Sequence, residues 1–154
     1  MTTTYRGARN VMFDRINDAV NGPIATLFGY TPQVRWPFVA EPDKPDNTKI
    51  WFRVSSQIVE EQQSTLSTCE GLPGQKRYET TGLLFIEMYM PKMVREAGVK
   101  GIDAAIIIRD TFRNAPSGEA GITYYRARIN DGILPEEQFY RLNVVTEFEY
   151  DEIK

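Results

Sequence analysis

Residues 49 to 92, KIWFRVSSQIVEEQQSTLSTCEGLPGQKRYETTGLLFIEMYMPK, constrain this chain more than any other stretch. Ile50, Phe52, Val54, Ser56 and Ile58 share one parity in the first part, and Gly82, Leu84, Ile86, Met88 and Met90 share one in the last. Alternation with period two marks a half-buried strand. Between these runs, Glu60 to Gln75 is almost devoid of apolar residues, and Gly71, Pro73 and Gly74 break any regular element. The expected element is a long β-hairpin with residues 61–75 as a projecting, flexible tip. Arms of this length exceed what a small core requires, so the tip is expected to reach something outside the subunit.

The flanking sequence supplies two helices and the other strands. Thr3 or Thr4 can cap a helix that runs to about Asn21, where Gly22 and Pro23 are expected to stop it. Its stripe is Ala8, Met12, Ile16, Ala19 and Val20. Leu27 and Phe28 follow in a short turn or half-helix. QVRWPFV offers a brief strand, placed at an edge because Pro37 cannot donate to a ladder. After the hairpin, a second helix is predicted from about Met93 to Arg113, with Val94, Ile102, Ala105, Ile106 and Phe112 facing inward and Gly98 and Gly101 as weak points. A strand with Ile122, Tyr124, Tyr125 and Ile129 comes next, then a turn through Asn130, Asp131 and Gly132. The last strand alternates from Tyr140 to Asp151, with one face apolar and the other charged.

Runs of strands segregated from two helices indicate a single α+β domain over residues 1–154, a mostly antiparallel sheet with both helices packed on one face. The second face then carries Trp51, Leu83, Phe85, Tyr89 and Val145 among Arg53, Glu87, Arg141 and Glu147, a mixture suited to a subunit interface.

Composition narrows the chemistry. With no histidine and one cysteine, Cys69, the chain lacks the usual Cys/His zinc sites, Ser-His-Asp and Cys-His catalysis and any internal disulfide. A net charge of −3 gives no global attraction to nucleic acid. No apolar run is long enough to span a membrane, and MTTTYRGARN lacks the apolar core of a secretory signal, so a cytoplasm-like compartment is expected. Gly71 to Lys76 misses the Walker spacing, and Gly71-Leu72-Pro73-Gly74 matches a KH-type GXXG without its flanking helices, so a turn at the tip is the better reading. Glu147, Glu149, Asp151 and Glu152 read as a solvated strand face ahead of a cation site. Lys76 and Arg77, with Arg126 and Arg128, are the candidates for phosphate contact, and for the last two cross-strand pairing with Glu147 or Glu149 is the stronger expectation. Acid-base catalysis by Asp43, Asp46, Glu60 or Glu61 would require a deep pocket holding two carboxylates. A monomeric peptide-binding module would require an exposed edge strand. No catalytic residue, cofactor or metal is expected.

Several ordered features resemble one family. The Trp36-Pro37 pair, the Pro-rich loop leading into Trp51-Phe52-Arg53-Val54, the Thr81-Gly82 opening of a strand that ends at Pro91, and the closing run from Asn143-Val144-Val145 to Glu149-Tyr150-Asp151-Glu152 are similar to small phage proteins of the lambda-type tail terminator family. They spread from about residue 34 to 152. The resemblance implies a non-enzymatic homo-oligomer, six subunits in the lambda-type case, that caps the tail tube, halts its polymerisation and joins tail to head. DNA would pass through the lumen. It also implies a tube protein and a head-tail connector or stopper as partners, and a place in the virion neck after assembly in the host cytoplasm. Another neck component, or the tube protein itself, is the neighbouring reading. No family active-site residues exist to carry over. The expected contact residues are therefore read from this chain: Gln62, Ser64, Leu66, Cys69, Leu72, Lys76 and Arg77 toward the tip, and Trp51, Phe85 and Tyr89 on the open face. Lys76 and Arg77 are the residues expected to meet DNA in the lumen.

Overall fold

The computed structural model describes residues 2–40, 45–65 and 72–154. One sheet is formed by β1 (Gln33–Arg35), β2 (Trp51–Gln63), β3 (Arg77–Pro91), β4 (Ile122–Asn130) and β5 (Phe139–Ile153), in the spatial order β1-β2-β3-β5-β4. The pairings are antiparallel except that of β1, which lies parallel to β2 at the edge. Helices α1 (Tyr5–Ala19) and α3 (Ala97–Arg113) cover one face, which is the α+β architecture expected.

Helix α1 starts where Thr4 accepts a hydrogen bond from the Gly7 amide on its Oγ1, 3.0 Å away. Ala8, Met12, Ile16, Ala19 and Val20 are all buried, as their spacing predicts. The expected stop at Gly22-Pro23 does not occur. Val20–Ile24 widens into a π turn with Pro23 inside it, and α2 (Ala25–Phe28) follows before Gly29 ends the run at φ 79°. A wider turn shifts the carbonyl that a proline ring would strike, and the missing N–H costs one bond. Burial of Ile24 and Phe28 offsets that loss, with the Phe28 ring 6.3 Å from that of Phe52.

The hairpin arms pair Phe52 with Met88, Val54 with Ile86 and Ser56 with Leu84, so the predicted parity forms the core face of the sheet. A register shift between Ile58 and Glu60 marks a bulge, beyond which Glu60 to Gln63 pair with Thr81 to Tyr78. The arms therefore run further than polarity alone indicates. Glu61, Gln62 and Gln63, placed in the tip from sequence, belong to β2. Backbone pairing needs no apolar side chain, and β5 flanks β3 all the way to the Arg77–Ile153 pair.

The inward face of α3 also differs from expectation. Ala97, Gly101, Ala104, Ala105, Ile108 and Phe112 are buried, whereas Val94, Ile102 and Ile106 are exposed. The small residues let the helix lie close to β3: a Cβ on Gly101 would stand 2.1 Å from Met90 Sδ. Close approach was legible as weakness in the sequence, and it is the docking stripe. The exposed isoleucines then form a second apolar face on the same helix.

Candidate functional site

The sheet's second face is the candidate site, built by the odd-numbered residues of β2 before the bulge and of β3 and β5. Cross-strand registers place Trp51, Tyr89 and Arg141 in one row, Arg53, Glu87 and Asn143 in the next, and Ser55, Phe85 and Val145 in a third. Trp51 and Tyr89 stack with centroids 3.9 Å apart and planes 4° from parallel, and Phe139 meets both edge-on. These two rings are only 5% and 1% exposed. They were expected to present an aromatic contact surface, and the structure buries them instead.

Arginines cover them. The Arg35 guanidinium lies 4.6 Å from the Trp51 centroid, Arg53 lies over both rings at 5.5 and 5.6 Å, and Arg141 lies 5.3 Å from Tyr89. Glu87 ties the layer together, accepting from Arg141 Nη2 at 2.9 Å and from the Tyr89 hydroxyl at 3.2 Å. Arg53 in turn donates to the Tyr89 oxygen at 3.3 Å. Burial, reinforced by the Glu87 charge, pushes the Tyr89 phenol upward, so it remains a donor. A partner at this end of the face would meet guanidinium, with the aromatics as its rigid bed. Phe85 is half-buried in the third row and remains accessible in part.

The opposite end of the face is acidic. Glu79, Glu149 and Asp151 are neighbours across β3 and β5. Burial, then the charges of Glu79 and Asp151, raise the Glu149 carboxyl above its ordinary value. Arg77 partly compensates, since it forms an ion pair with Asp151 and its Nε donates to that carboxylate at 2.9 Å. Arg126 and Arg128 reach Glu147 at 3.5 and 3.8 Å, the cross-strand pairing favoured from sequence. This cluster spreads along two strands of an open sheet face.

At the hairpin end, Ser64 is held by its amide and its Oγ, both donating to the Arg77 carbonyl, at 2.9 and 3.2 Å. Lys76 and Lys154 exchange backbone bonds of 2.7 and 3.0 Å, so the chain's last residue extends β5 alongside the arm. Leu72 is exposed and closes a turn with Gln75 through Gly74 at φ 90°. Gln62 is exposed in the ladder, and Lys76 is exposed beside it. Leu66 and Cys69 lie outside the described residues. The structure thus gathers Gln62, Ser64, Leu72, Lys76 and Arg77 at one extremity and Trp51, Phe85 and Tyr89 toward the other end of the open face.

Two further features escaped sequence reasoning. Arg35 is a buried member of the cationic layer, which the parallel pairing of β1 with β2 brings over Trp51. The exposed stripe of α3 was assigned to the core, although its valine and isoleucines at three-and-four spacing were the available signal. No helix among the described residues is long and apolar enough to cross a membrane. No protein-family model matches the chain, and no curated protein sequence matches it significantly.

Proposed function

We propose that this chain is a non-enzymatic structural subunit of a phage tail, a terminator that forms a six-membered ring, caps the tail tube, stops its polymerisation and joins tail to head. The observation that carries this reading is the extension of the β2–β3 arms past the helix-covered core. From Ile58 to Gln63 every β2 side chain is exposed, a run of about 20 Å at roughly 3.3 Å per residue. Such an arm encloses nothing, yet it is held in register on both sides of β3. It suits a rigid element that docks on a neighbouring ring. The ordered motifs from about residue 34 to 152 that resemble the lambda-type terminators support the same conclusion.

On this reading the tube protein and a head-tail connector or stopper are the partners, reached through the hairpin end. DNA crosses the lumen without a sequence-specific site. Arg77 already pairs with Asp151, which leaves Lys76 as the cation the tip offers to phosphate. A sparse cationic lining allows DNA to slide. The subunit acts in the virion neck after assembly in the host cytoplasm.

Replacing residues 66–75 with a tight two-residue turn tests the proposal in a phage complementation assay. The ladder up to Ser64 is retained, so circular dichroism should match the parent chain. Heads and tails should accumulate unjoined. Joined, infectious particles at parental yield would refute the role assigned to the hairpin.

A further inference from the structure

Two apolar features on opposite sides of the sheet are left without a partner among the described residues. The first follows β1. Phe38 adopts φ 61°, a region that bulky side chains rarely enter, and its ring is 95% exposed with Val39 exposed beside it. This turn is pinned. Arg9 Nη2 donates to the Pro37 carbonyl at 3.1 Å, and the same guanidinium lies between the rings of Phe13 and Phe38, 4.7 and 5.5 Å from their centroids. A strained backbone held so as to expose a phenyl ring gains nothing for an isolated subunit.

The second feature is a groove of about 670 Å³ between α3 and the β4–β5 connection. Val99, Ile102, Ile133, Pro135 and Tyr140 form its walls, with Leu142 at its floor. Val99 is 66% exposed and Ile102 52%. Its size falls within the roughly 300–1,000 Å³ of pockets that enclose compact apolar groups.

We infer that Phe38 and Val39 of one copy seat in the α3 groove of the next. Charge complementarity favours a second copy as the occupant. Arg9 grips the knob, and Arg35 and Arg53 line the hollow beside Phe38. The outer wall of the groove, residues 131–137, carries Asp131, Glu136 and Glu137 and no cation. On the inner side, Arg141 is engaged by Glu87 and Arg95 is the opposing charge. Sheet order separates β1 from β5 and β4 by three and four strand spacings, about 14 and 19 Å at roughly 4.8 Å each, so a subunit cannot fill its own groove. The contact is therefore head-to-tail. Repeated contacts of that kind generate a ring when the rotation closes and a filament when it does not. Closure into a ring rests on the function proposed above, whereas the contact itself does not.

Sedimentation velocity of the full chain over a concentration series tests the contact. Phe38→Asp removes the knob and leaves the groove, and Ile102→Glu does the reverse. Each variant should weaken self-association by about thirty-fold or more, the effect of losing an interface anchor. An equimolar mixture of the two retains one good knob and one good groove and should give a 1:1 pair that grows no further. Val99→Glu serves as a second groove variant, and unchanged melting of all three keeps misfolding from imitating the result. A hydrophobic dye, 8-anilinonaphthalene-1-sulfonate, should bind the Phe38→Asp monomer and be excluded from the parent assembly. Assembly of the variants like the parent chain overturns the contact and leaves the terminator reading standing. Open filaments in the parent chain, abolished by the variants, support the contact and overturn the terminator reading. A parent chain that stays monomeric throughout overturns the contact.

Discussion

Gly82→Ala gives the sharpest test of how the long hairpin is packed. Gly82 lies in β3 between Ile58 of β2 and Phe148 of β5, beside the bulge that begins the extended arm. A Cβ there would stand 2.4 Å from Phe148 Cζ and 2.6 Å from the Gln57 carbonyl oxygen. The ring can rotate, but the carbonyl belongs to the neighbouring strand and can move only with it. Relief of backbone entropy alone would make alanine better than glycine by roughly 0.5–1 kcal/mol. Overpacking costs about 1–3 kcal/mol, and two contacts below 3.0 Å, one of them to backbone, place this site near the top of that range. The net expectation is a loss of about 2 kcal/mol, or roughly 4–8 °C in melting temperature for a chain of this size. Urea unfolding followed by circular dichroism should show a lower midpoint with an unchanged slope. Adding Phe148→Leu should recover part of the loss, because it frees one of the two contacts. Gly98→Ala is the matching control: its Cβ meets nothing within 4 Å in the first turn of α3, so the same chemical change should stabilise by about 0.5–1 kcal/mol. A Gly82→Ala midpoint equal to or above the parent's would refute the packing described for the β2–β3–β5 junction.

Other perturbations separate the local arguments. Thr4→Ala removes the acceptor for the Gly7 amide and should cost about 1 kcal/mol, read as a lower urea midpoint; no change would mean the cap is idle. Trp51→Ala should cost about 3–5 kcal/mol because the indole is buried in its stack, whereas a surface residue in the same assay would change stability by under about 0.5 kcal/mol. Glu149 has a raised folded-state pKa, so the folded chain binds the proton more tightly than the unfolded one, and its contribution to stability falls as pH rises from the ordinary glutamate value through the folded value. Glu149→Gln should accordingly stabilise at neutral pH, with the advantage fading below the ordinary glutamate pKa; an advantage independent of pH would point to packing as its source.

What could be read in the sequence was whatever repeats with a single period. The α1 stripe and the alternation of β2, β3 and β5 expose their buried faces directly, and the structure keeps those parities. Features set by tertiary geometry were less legible. Helix α3 has two apolar faces of comparable strength, and only the close approach of Gly101 to Met90 decides which one docks. Pro23 is a breaker by local rules, yet the core offers enough burial at Ile24 and Phe28 to carry the helix through it as a π turn. The end of the hairpin ladder was underestimated because pairing with β5 supports polar residues that propensity assigns to loops. On the candidate face, alternation placed Trp51 and Tyr89 correctly beside Arg53, Glu87 and Arg141. Their burial depends on guanidinium groups lying over the rings, and one of these, Arg35, arrives from a strand whose parallel pairing has no local signature.

The central claim is that the chain is a ring-forming subunit whose hairpin ends meet other components of a tail. Multi-angle light scattering of the purified chain, with negative-stain images of the same fractions, tests that claim most directly. The account predicts closed rings with the mass of six subunits, each ring bearing its arm extensions as projections. A chain that remains monomeric at high concentration both alone and when mixed with tail tubes would contradict it.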